Sequence, residues 1–117
     1  MSGKYNNKKT VIDGITFDSK AEARRYTELK ILERVGAITG VEVHVKYELQ
    51  PKFKRGKKTI LPITYEADFR YIENGAVVLE DVKGGKNGKG TRTQVFDLKA
   101  KILQFRYPDV ELRIVAA

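Results

Sequence analysis

A single α/β domain, a mixed sheet with flanking helices behind an N-terminal β-hairpin, is what this 117-residue sequence predicts. Three observations lead to it. Several stretches alternate apolar and polar residues at strand spacing. Two longer stretches place apolar residues at helical spacing between clear start and stop signals. The order is hairpin, helix, three strands joined by short turns, helix, strand, which suits an antiparallel meander extended by a last, parallel strand.

Residues 1–9 read as a flexible basic arm and residues 10–117 as one domain. In "TVIDGITF", Asp13-Gly14 lies between β-branched pairs, a two-residue hairpin signal. "DSKAEARRYTELKILERVGAI" reads as a helix from about Ser19 to Val35, stopped by Gly36. "VEVHVKYEL" predicts a half-buried strand with Val41, Val43, Val45, Tyr47 and Leu49 on one face and His44 on the polar, exposed face. "KRGKK" reads as a basic turn, "ILPITYEADFRYI" as a second strand, "ENG" as a turn and "AVVLEDVKG" as a third strand. "GKNGKG" reads as a flexible loop. "TRTQVFDLKAKILQFRY" predicts a second helix with Val95, Leu98, Ile102 and Phe105 on its inward stripe. Pro108 ends it, and "VELRIV" is a last short strand.

Composition narrows the partner. Lys and Arg number 23 against 15 acids, a net charge of +8, which favours a polyanion such as DNA. No apolar run approaches the roughly 20 residues needed to cross a bilayer, so no membrane partner is expected. The N-terminus lacks the apolar region of a secretory signal. With no cysteine there are neither disulfides nor thiolate metal sites, which suits a cytoplasmic setting.

The chemistry is concentrated in "YEADFRYIENGAVVLEDVKGG". Asp81 and Lys83 lie two apart on a strand and share a face. A two-residue Asn74-Gly75 turn pairs Glu73 with Ala76, and counting outward places Asp68 opposite Asp81. Neighbouring carboxylates in a partly dry site raise each other's pKa and cost stability. One lysine offsets only part of this, whereas a hard divalent cation such as Mg²⁺ would relieve it. An isolated D-x-K is more often a surface salt-bridge ladder. The combination with Asp68, the following glycines and the basic chain points past that. Glu22 closes an S-x-x-E capping box with Ser19, a sufficient structural role. It also shares a helical stripe with Tyr26 and Leu29, so it faces the sheet and can add a third carboxylate.

An acid in the first helix, an Asp on a strand and (D/E)-x-K on the next resemble the PD-(D/E)XK nuclease superfamily. The element order is similar to its restriction-endonuclease-like α-β-β-β-α-β core. More narrowly, "VIDGITFDSKAEARRYTELKILERVGAI", "LQPKF", "YEADFRYIENG" and "VVLEDVKG" resemble a small phage-associated domain family of unknown function. That family is allied to Holliday junction resolvase-like endonucleases. The resemblance spans roughly residues 5–115. It implies Mg²⁺, with Mn²⁺ able to substitute, held by Asp68, Asp81, the Val82 carbonyl and Glu22, with Lys83 as the catalytic lysine. It implies a metal-dependent endodeoxyribonuclease acting on branched DNA in the cytoplasm of a bacterial host, and a homodimer would provide two sites for two strands. Two departures stand out. Ala67 occupies the place of the motif proline, and the second acid is Asp rather than Glu. Glu80, beside it, falls by strand parity on the opposite face from Lys83.

Two basic segments are candidates for the nucleic-acid backbone: Lys54, Arg55, Lys57 and Lys58 at the "KFKRGKK" turn, and Lys86, Lys89 and Arg92 in the glycine-rich loop. That loop is not a P-loop, because Lys89 is followed by Gly90 rather than Ser or Thr. Gln94, at the start of the second helix, is a weaker candidate. The competing reading is a non-catalytic nucleic-acid-binding protein on a nuclease-like fold.

Overall fold

The computed structural model describes residues 9–83 and 93–116. The hairpin pairs β1 (Thr10–Ile12) with β2 (Ile15–Phe17). Asp13 and Gly14 both take positive φ, 53° and 76°, as a type I′ turn requires. Tyr26 of α1 (Lys20–Arg34) donates its hydroxyl to Asp13 at 2.9 Å, tying the turn to the helix. Ser19 caps α1 by accepting the Glu22 N–H at 3.1 Å.

The main sheet has the strand order β3-β6-β7-β8. β3 (Thr39–Gln50) pairs antiparallel with β6 (Ile63–Glu73), and β6 pairs antiparallel with β7 (Ala76–Lys83). After α2 (Gln94–Arg106), β8 (Val110–Ala116) returns parallel to β7. The mixed α/β architecture is therefore as expected. The basic turn proves longer than a turn. β4 (Phe53–Arg55) and β5 (Lys58–Ile60) form a separate two-stranded ribbon.

Two apolar cores lie on opposite faces of the sheet. One gathers Phe17, Ala23, Tyr26, Leu29, Ile38, Phe69, Tyr71 and Val78 under α1. The other gathers Leu49, Tyr65, Ala67, Leu79, Ala100 and Leu103 under α2. Val78 and Leu79 are consecutive on β7, so alternation sends them to opposite faces.

Two sequence expectations need correction. On α2, Val95, Leu98 and Phe105 do not face inward: they are 62%, 59% and 86% exposed. Ala100 and Leu103 are buried instead, with Phe96 half-buried against Tyr65 at a centroid distance of 5.9 Å. α2 carries apolar residues on two stripes, and the aromatic contact selects between them. On β3, the expected single inward row divides. Val41 and Val43 pack in the α1 core, whereas Tyr47 and Leu49 pack in the α2 core. β6 does the same in reverse, with Tyr65 and Ala67 on the α2 side and Phe69 and Tyr71 on the α1 side. The inward row changes face at one transverse line. His44 lies on it with φ 52°, a left-handed conformation within a strand.

Candidate metal and phosphodiester site

The site forms along that line. Asn74 and Gly75 take positive φ, 52° and 80°, and Glu73 pairs with Ala76. The β6–β7 ladder then runs outward to Phe69↔Glu80, where backbone pairing ends. The next residues in register are Asp68 and Asp81, as the sequence predicts. Each carboxylate takes the place of a ladder acceptor. Asp81 Oδ1 accepts the Asp68 N–H at 3.0 Å, and Asp68 Oδ2 accepts the Val82 N–H at 2.8 Å. The other oxygen of Asp81 accepts the hydroxyl of the buried Tyr65.

Electrostatics follow from this placement. Burial pushes the Asp68 carboxyl up to about 7, and the charges of Asp81 and Glu22 push in the same direction. The Val82 N–H and the Lys83 ammonium only partly oppose them. Asp81 is also raised, chiefly by burial, against the opposing effect of Tyr65, the Asp68 N–H and Lys83. Two adjacent carboxylates that hold their protons too tightly mark a place short of positive charge.

Glu22 enters from the first turn of α1 and is 5% exposed. It completes only half of the expected capping box. Ser19 caps its N–H, but its Oε1 accepts from Asp18 N–H at 3.3 Å rather than from Ser19. Its Oε2 meets His44 Nε2 at 2.9 Å. His44 is therefore not the exposed residue that alternation suggested. Its side chain is 33% exposed and its ring lies 6.0 Å from that of Phe17. Simple strand parity misses it because the left-handed turn of the backbone redirects the side chain.

Lys83 holds its ammonium 4.2 Å from the centre of the Phe96 ring, a cation–π contact that steadies a flexible side chain. Glu80 faces the α1 side and is fully buried. Arg25 grips it at 2.6 and 3.0 Å, and the Tyr71 hydroxyl donates at 2.6 Å.

Lys54, Arg55, Lys57 and Lys58 are exposed on the β4–β5 ribbon, whereas Lys86, Lys89 and Arg92 lie outside the described residues. Gln94 is the first residue of α2 and is exposed.

The donor set suits a hard divalent cation, since Asp68, Asp81 and Glu22 all offer carboxylate oxygens. Among the described residues, no three His, Asp or Glu side chains already converge as a closed metal cage. Mg²⁺ does not need one, because it keeps several waters and is typically held by one or two carboxylates plus phosphate oxygens.

Among the described residues, no helix is long and apolar enough to cross a membrane. No curated protein matches the chain. A solved structure designated "Crystal structure of SSO0001" is similar at 15% identity and a TM-score of 0.43, covering 80% of this chain and 45% of that one. The family model described as "Protein of unknown function (DUF1064)" matches residues 2–117, and the chain belongs to that family.

Proposed function

We propose that the protein is a Mg²⁺-dependent endodeoxyribonuclease of the PD-(D/E)XK type, acting on branched or otherwise structured DNA. The observation that carries this reading is the Asp68–Asp81 pair, side by side with Asp81 buried and Asp68 half-buried, both with raised pKa values and short of positive charge. Asp68, Asp81, the Val82 carbonyl and Glu22 would hold the cation, and Mn²⁺ would substitute. When bound, the ion supplies charge neutralisation, polarises the phosphoryl oxygen and lowers the pKa of an attacking water.

The chain's own groups do the rest. Tyr65 and the Asp68 N–H hold the Asp81 carboxylate in one orientation, and the Val82 N–H does the same for Asp68. Lys83, steadied over Phe96, orients the water or stabilises the charge that builds on phosphate oxygens in the transition state. Hydrolysis adds one water across a P–O bond, leaving a phosphomonoester and a free hydroxyl. The β4–β5 ribbon presents Lys54, Arg55, Lys57 and Lys58 to backbone phosphates. DNA is then the partner, and a homodimer would cut two strands from two sites.

A non-catalytic nucleic-acid-binding protein is the second reading. The lack of a preformed three-ligand cage among the described residues favours it, and the basic ribbon serves it equally well. Incubation with supercoiled, linear and four-way-junction DNA in Mg²⁺, Mn²⁺ or EDTA decides between them. The nuclease reading expects cleavage that EDTA abolishes. Binding without cleavage of any substrate in either metal would leave the second reading.

A further inference from the structure

His44 combines three features that ordinary packing does not require together. It is a non-glycine residue at φ 52° in the middle of a twelve-residue strand. Such a conformation costs energy and persists only when its surroundings enforce it. The β3–β6 ladder steps over it, running from Val43↔Phe69 to Val45↔Ala67. That register places His44 opposite Asp68, which is itself next to Asp81. Finally, the ring is directed at Glu22, with Nε2 at 2.9 Å from Oε2.

An ionised carboxylate can only accept, so Nε2 carries the hydrogen and donates. Glu22 is thus held from both sides, by Asp18 N–H on one oxygen and His44 on the other. Each oxygen keeps a further lone-pair direction for a cation or a water. The ring is in turn set by its neighbour Phe17, which is fully buried. Carboxylates that bind metals are commonly oriented by hydrogen bonds of this kind.

We propose that His44 is a positioning residue: it fixes the Glu22 carboxylate toward the Asp68–Asp81 pair, and its left-handed backbone aims the ring from β3 at the helix. The proposal rests on the metal-dependent nuclease reading. It assigns the backbone strain to orienting a ligand, and not to fold stability.

Two substitutions separate these roles. Asn tolerates the left-handed region well, but its amide ends one bond short of the position of Nε2. Gln tolerates that region less well but places an amide nitrogen as many bonds from the backbone as Nε2. Each variant is titrated with Mn²⁺ without DNA, melted, and assayed for the Mg²⁺ concentration that gives half-maximal cleavage.

His44→Asn is expected to melt like wild type yet bind Mn²⁺ about 10–100-fold more weakly, as loss of an outer-shell partner does. Its Mg²⁺ requirement should rise by a similar factor. His44→Gln is expected to melt lower yet keep most of the Mn²⁺ affinity. This opposite ordering of stability and metal binding is something a packing residue would not produce. Wild-type Mn²⁺ affinity in His44→Asn, with wild type itself binding metal and cutting DNA, overturns the role of His44 alone. So does metal affinity that simply follows melting temperature in both variants. Wild type that neither binds Mn²⁺ nor cuts DNA removes the nuclease reading and this proposal with it.

Discussion

Glu80 and Asp81 are consecutive residues of β7, both buried and both acidic, yet their surroundings are opposites. On the α1 side, Glu80 has a full complement of partners: the Arg25 guanidinium on both oxygens and the Tyr71 hydroxyl. Glu80 in turn drives the Arg25 pKa upward and, after burial, helps push Tyr71 up to about 12. On the other face, Asp81 has uncharged donors, a second carboxylate beside it, and a lysine drawn onto an aromatic ring. Burial of a carboxylate is therefore not what distinguishes the candidate site. The incomplete counter-charge is, since Lys83 offsets only part of the carboxylate charge.

That contrast can be broken from either side. The largest stability effect is expected on the Glu80 side. Arg25→Ala leaves a buried carboxylate unpaired and should destabilise the fold by about 3–5 kcal/mol in denaturant unfolding. A loss below about 1 kcal/mol, the range of exposed pairs, would mean that water replaces the guanidinium.

On the Asp81 side the effect should fall on chemistry. Asp81→Asn and Lys83→Ala are each expected to slow metal-dependent cleavage by on the order of a hundredfold or more. Mn²⁺ binding should weaken in the first and survive in the second, as calorimetry would show.

Asp68→Asn sharpens the contrast further, because it should stabilise the protein. Asp68 ionises at about 7 in the folded state against an ordinary value of 3.8. Between these values the folded state binds the extra proton, so this contribution is complete below the unfolded value and is lost as pH rises through about 7. Asparagine removes that loss, and its oxygen can still accept from Val82 N–H. In metal-free buffer above the folded value, Asp68→Asn should exceed wild type by on the order of 1–3 kcal/mol. It should also flatten the fall in stability toward neutral pH. Equal pH profiles for the two proteins would contradict the raised pKa.

The smallest stability effect should belong to Glu22→Gln. Glutamine can still accept from Asp18 N–H, so folding should change by no more than about 1 kcal/mol. Cleavage should nevertheless be largely lost. Wild-type cleavage would reduce Glu22 to a helix cap.

Much of the site was legible because Asn74-Gly75 is a strong local signal. A turn of fixed length sets the register, and register alone brings Asp68 to Asp81. Strand parity likewise separated Glu80 from Lys83. The less legible parts depend on tertiary choices. Alternation along β3 predicts one inward row, but it carries no sign of a left-handed residue at its midpoint. His44 and the change of face were therefore hidden. α2 offers two apolar stripes, and periodicity does not say which meets Tyr65. The guanidinium on Glu80 comes from a helix 55 residues away in sequence, beyond any local pattern.

Thermal melting with and without Mn²⁺ tests the central claim most directly, since a ligand that binds only the folded state stabilises it by about 2.7 kcal/mol at a hundredfold excess over Kd. Wild type should melt higher with Mn²⁺, Glu80→Gln should keep that shift, and the Asp68→Asn/Asp81→Asn double variant should lose it. No shift in wild type, or an undiminished shift in the double variant, would contradict a cation site at this pair.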